Sequence, residues 1–95
     1  MSNTEVAADR SLVLPENVLI RQVDDEVVLL DLDSEKYFAV DGAGAQFLHR
    51  LVEFGTIANA AEVLTTEFDA SIDVLVDDLQ SLTASLLSKG LLHLS

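Results

Sequence analysis

The apolar pattern of this chain changes period once, at Asp41. Ahead of that residue lie three short runs, 18–23, 27–32 and 36–40, rich in β-branched, aliphatic and aromatic side chains. Polar turns at 24–26 and 33–35 separate them, so they read as an antiparallel meander. In the third run Phe38 and Val40 share one face, and Tyr37 and Ala39 share the other. Behind Asp41 the apolar residues recur at steps of three and four, which is the spacing of amphipathic helices. A chain that alternates first and then coils has little choice of class. The expected fold is α+β and winged helix-turn-helix-like: a three-stranded antiparallel sheet followed by three helices.

The helix limits are marked by capping residues. Asp41 is placed as N-cap of a helix ending near Phe54, with Ala45, Leu48, Leu51 and Val52 on its inner side. Gly55 stops it, and Thr56 caps a second helix over 57–66 with Ile57, Ala60, Ala61 and Leu64 inward. Phe68 is placed to pack against the core, and 69–71 is a short linker. The third helix, 72–89, carries the stripe Ile72, Leu75, Leu79, Leu82 and Leu86. Its acids Asp73, Asp77 and Asp78 sit early and Lys89 late, as the macrodipole prefers. Gly90 ends it, and "LLHL" adds a short extended piece. Residues 1–14 read as a polar tail and 15–95 as the domain.

Ninety-five residues make one core. The absence of Cys excludes disulfides, thiolate metal sites and Cys nucleophiles, and fits a reducing cytoplasm. No run of apolar residues is long enough to span a bilayer, and the N-terminus lacks the basic start and apolar stretch of a secretory signal. Seventeen acids against five Lys and Arg give a net charge of −12. Such a surface repels phosphate backbones and anionic lipid and favours basic or neutral partners, while also keeping an apolar domain in solution.

That charge removes the first function the fold suggests. A recognition helix on DNA needs several basic contacts, yet the third helix exposes Asp73, Asp77 and Asp78 and has no cation before Lys89. Catalysis fares no better. His49 and His93 are far apart in sequence and lack the spaced partners of a metal site. Asp77 and Asp78 diverge by about 100° on a helix and cannot converge as a dyad. The glycines of "DGAGA" have no following Lys, and Asp41 repels a phosphate. No catalytic residue, metal or cofactor is expected.

What is left is a sheet edge. Residues 36–40 carry unpaired N–H and C=O groups if they form an outer strand. Two readings are open: an extended peptide adds a strand there, or the tail or a second copy caps the edge.

The stretches "LLDLDSEKYFAVD", "GAQFLHRL" and "VLTTEFD", then Asp78, Leu79, Leu82 and Leu86 with "KGLL", together resemble the PqqD-like family over about 18–92. Asp41 stands where that family has Asn. The family supplies precursor-recognition domains for ribosomally made, modified peptides, and this stand-alone chain looks most like the component from lasso-peptide biosynthesis. The resemblance implies a non-catalytic domain that binds a precursor's leader peptide. It would present that peptide to a separate leader peptidase of the transglutaminase-like cysteine protease type. It further implies a leader strand added along Lys36, Tyr37, Phe38, Ala39 and Val40, against Leu75, Asp78, Leu79 and Leu82 of the third helix. Phe38 and Val40 would also serve the core, and Asp78 would accept from a leader Tyr or pair with a leader cation. Two alternatives remain. One is a PqqD-type chaperone delivering its precursor to a radical-SAM enzyme, and the other an acidic winged-helix domain with a structural or dimerisation role.

Overall fold

A computed structural model describes residues 6–95. Strand β1 (Leu12–Val13) is followed by β2 (Val18–Val23), β3 (Glu26–Asp31) and β4 (Tyr37–Asp41). Helices α1 (Gly42–Phe54), α2 (Ile57–Leu64) and α3 (Ile72–Ser88) follow, and β5 (His93–Leu94) comes last. Strands β2, β3 and β4 form the expected antiparallel meander, with β4 at one edge and β2 at the other. The α+β, winged-helix-like class is as the sequence pattern indicates.

One face of the sheet is inward. Val18, Val27 and Leu29 are buried there, and Phe38 and Val40 are half-buried against the same core. The helices close the other side with Leu48, Leu51, Ile57, Leu64, Leu75, Leu79 and Leu86, all fully buried. Phe68 packs edge-on against Phe47, with ring centroids 5.3 Å apart. Arg50 ties α1 to the loop after α2: its guanidinium donates to both carboxylate oxygens of Glu67 and, at 2.8 Å, to Glu53. Those hydrogen bonds raise the Arg50 pKa and hold the Glu67 carboxyl below its usual range.

The helix ends follow the sequence signals with two differences. Thr56 accepts from the Asn59 N–H at 3.1 Å, Ser71 accepts from Val74, and Gly55 closes α1 in the left-handed region at φ 77°. Asp41 occupies the N-cap position, but its side chain makes no capping hydrogen bond. The first residue of α1, Gly42, has φ 59°, so the chain swings left-handed as it enters the helix and leaves the Asp41 carboxylate away from the first-turn N–H groups. The helix α2 ends at Leu64 instead of 66: the Thr66 and Glu67 N–H groups bond three residues back, to the Val63 and Leu64 carbonyls, and the Thr65 and Thr66 hydroxyls donate to the Glu62 and Val63 carbonyls.

The residues read in sequence as a tail are tethered from Val6 onward. Gln80 Nε2 donates to the Val6 carbonyl at 3.0 Å, Ala58 N–H to Ala8, and Leu12 N–H to Gly55. Leu12 is buried, and β1 pairs with β5 as a two-stranded ribbon. The "LLHL" piece is therefore real, with Leu91 and Leu92 in the core and 93–94 in the ribbon.

Candidate peptide-binding site

The edge strand is launched by Asp31. Its Oδ1 accepts from the Asp33 N–H at 2.9 Å, the Ser34 N–H at 3.3 Å and Asn17 Nδ2 at 2.8 Å. Asp31 N–H donates to the Lys36 carbonyl at 2.8 Å, and Glu35 N–H to the Asp31 carbonyl at 2.8 Å. Burial pushes the Asp31 carboxyl up. The donors from Asp33, Ser34 and Asn17 outweigh it and leave the group below its ordinary value of 3.8. Glu35 completes the turn at φ 64°.

This turn sets which backbone groups of β4 are free. In an antiparallel ladder hydrogen-bonded pairs alternate. Asp31 bonds Lys36, so with the observed register the next bonded pairs are Leu29 with Phe38 and Val27 with Val40. The N–H and C=O of Tyr37 and Ala39 and the N–H of Asp41 therefore point away from β3, while the Asp41 C=O, at the N-cap, serves the first turn of α1. Among the described residues no strand pairs with them.

The helix α3 packs on α2 and α1, while β4 packs on β3 and α1. An open depression of about 480 Å³ lies where the start of β4 meets the end of α3, lined by Glu35, Lys36, Tyr37, Ser88 and Lys89. Counting back from Lys89 at 100° per residue, Ser85, Leu82, Asp78 and Val74 fall within about 80° of one another on the same flank. Leu82 is half-buried, Asp78 is exposed, and Val74 is 51% exposed. Gln80, which holds the Val6 carbonyl, lies about 200° from Asp78. The described part of the tail thus runs along the opposite flank of α3 and leaves this one open.

The structure sorts the residues expected at the site. Tyr37, 68% exposed, and Ala39 lie on the outer side of β4, with Lys36 just before it. Phe38 and Val40 turn inward. Asp78 and Leu82 stand on the open flank, whereas Leu75 and Leu79 are 1% and 0% exposed and sit in the core. Ile72, expected on the core stripe, is 44% exposed in the first turn of α3, and its place is taken further along by Thr83, which is fully buried. Val74 was not singled out in the sequence. Its signal there is an apolar residue one helical step off the core stripe.

The fold and site define an α+β domain with an unpaired sheet edge beside an open helix flank. The chain belongs to the PqqD family: the model of that family, described as coenzyme PQQ synthesis protein D, matches residues 26–92. Among solved structures it is similar to "TbiB1 in Complex with the TbiA(beta) Leader Peptide", at 27% identity and a TM-score of 0.77, covering 85% of this chain and 94% of that one. It is also similar to "Lasso peptide synthetase B1 complexed with the leader peptide", at 26% identity and a TM-score of 0.75, covering 87% and 98%. No match was found among curated proteins.

Proposed function

We propose that this protein is a non-catalytic recognition domain of lasso-peptide maturation. It binds the leader peptide of a ribosomally made precursor by β-strand addition along β4. The observation that carries this reading is the free row made by the N–H and C=O groups of Tyr37 and Ala39 and the N–H of Asp41, beside the open flank of α3. The likeness to two leader-bound proteins supports it. Main-chain bonds give affinity, and side chains entering against Val74, Asp78 and Leu82 give selectivity. Membership of the PqqD family equally suits a chaperone serving a radical-SAM enzyme, and the partner protein separates the two.

The leader is presented to a separate peptidase in the cytoplasm. Among the described residues no helix is long and apolar enough to cross a membrane. The surface assigned to the peptidase is the outer face of the sheet. Its register aligns Leu19, Leu30 and Tyr37 in one rung and Arg21, Val28 and Ala39 in the next. Leu19 is 40% and Val23 58% exposed there, an apolar face that α1, on the other side of the sheet, leaves uncovered.

The test is a fluorescence-polarisation titration of a labelled leader from the precursor gene beside this one. Saturable binding that weakens when a leader Tyr becomes Ala supports the reading. A folded domain that binds no neighbouring leader overturns it in favour of a structural role.

A further inference from the structure

The chain has two lysines, Lys36 and Lys89, against seventeen acids. They are 53 residues apart in sequence, yet both line the depression between the start of β4 and the end of α3. The other cations are arranged differently. Arg50 is held by Glu53 and Glu67, Arg10 donates to the Ser95 carbonyl, and Arg21 points to the outer face of the sheet. Among the described residues neither lysine is ion-paired. Glu35 shares the depression, and its single carboxylate leaves the two ammonium groups in excess. Further along the groove the charge reverses, with Asp78 on α3 and Asp41 at the far end of β4. A protein with a charge of −12 therefore presents one basic end of one groove.

Resting on the function proposed above, we infer that Lys36 and Lys89 select an acidic side chain, Asp or Glu, in the bound peptide and so fix its register. Strand addition needs such an anchor. Main-chain bonds are blind to sequence, and a slip of two residues preserves both the bonds and the facing of the side chains. An ion pair at one end of the groove distinguishes those registers. Lys36 directly precedes Tyr37, the first free rung of β4, and Lys89 lines the same depression from the end of α3. A two-residue slip of the peptide moves its carboxylate by about 7 Å, well outside ion-pair range.

The test is selection of a random library of peptides about a dozen residues long, enough to cross the groove at ~3.3 Å per residue, on the immobilised full chain. The expected result is enrichment of Asp or Glu at one fixed offset from an aromatic position. Replacing that acid by its amide in a selected peptide should raise Kd by about 3- to 5-fold in low salt, and by less at high salt. The K36Q/K89Q variant should lose the acid preference but keep the aromatic one. The K36E/K89Q variant should turn the preference towards Lys or Arg; Gln at 89 avoids placing an anion at the helix C-terminus. Enrichment without an acid preference, or an acid preference that survives in K36E/K89Q, overturns the register reading and leaves leader binding intact. No peptide enriched by folded protein defeats the proposed function itself.

Discussion

The Asp31 carboxylate gathers the Asp33 and Ser34 N–H groups and the Asn17 amide, and through them sets the turn from which β4 departs. An Asp31→Ala substitution leaves those donors without an acceptor. It should lower the thermal midpoint and weaken leader binding together, because the turn fixes the edge strand. Its pH signature has a definite sign. The folded-state pKa lies below the ordinary 3.8, so the stabilisation is complete above that value and is lost as pH falls through the lowered one. Glu67, also lowered, adds to the same acid limb. Acid unfolding should therefore set in below about pH 4, and D31A should flatten that limb relative to the parent, as read by circular dichroism against pH. Ala39 offers the complementary residue-scale test. Its N–H faces outward, so Ala39→Pro removes no bond to β3, and proline is tolerated at such edges. The variant should fold but bind leader about 10-fold or more weakly, whereas Gln22→Pro on the opposite edge should bind as the parent does. Equal loss in both, with folding intact, would argue against strand addition at β4.

At the scale of elements, α3 has a buried face and an open flank. Leu79 is fully buried, and Leu79→Ala should cost about 2–5 kcal/mol of stability in a denaturant titration, with leader affinity unchanged where the protein remains folded. Val74 on the open flank should behave in reverse: Val74→Ser should leave stability within about 0.5 kcal/mol and weaken leader binding. The spacing of apolar residues foretold a helix here and its length to within a residue. It did not foretell which flank stays open, because Ile72 and Val74 look as apolar as Leu75 and differ only in what the neighbouring helices reach. The N-caps show the same division. Thr56 was legible from residue type, since a hydroxyl beside a following N–H is a local matter. Asp41 was not, because the left-handed Gly42 that opens the helix decides where the first-turn N–H groups lie relative to its carboxylate.

For the whole molecule, the proposed function uses two separate exposed surfaces of the sheet. The β4 edge is assigned to the leader, and the outer rungs are assigned to the peptidase. Leu19→Glu lies two strands from that edge, at an exposed position whose alternation puts it on the outer face. It should leave the leader Kd within about 2-fold while slowing leader cleavage by about 10-fold or more in a reconstituted reaction. A variant that cleaves normally would remove the outer face from the peptidase interface.

The sequence by itself determined the order of the three central strands and the three helices, the change from alternation to helical period at Asp41, the helix stops at Gly55 and Gly90, and the acidic character of α3, but not β1. All of these depend on neighbours within a few residues or on total charge, which the chain carries wherever it folds. The tertiary structure alone decided that the N-terminal segment crosses the far flank of α3 to pair with β5. It also decided that Tyr37 and Ala39, with the Asp41 N–H, hold the free edge groups, and that Lys36 and Lys89 line one depression. Each of these joins residues distant in the chain. Sequence spacing carries no information about such meetings until the core has fixed how β4 and α3 lie together.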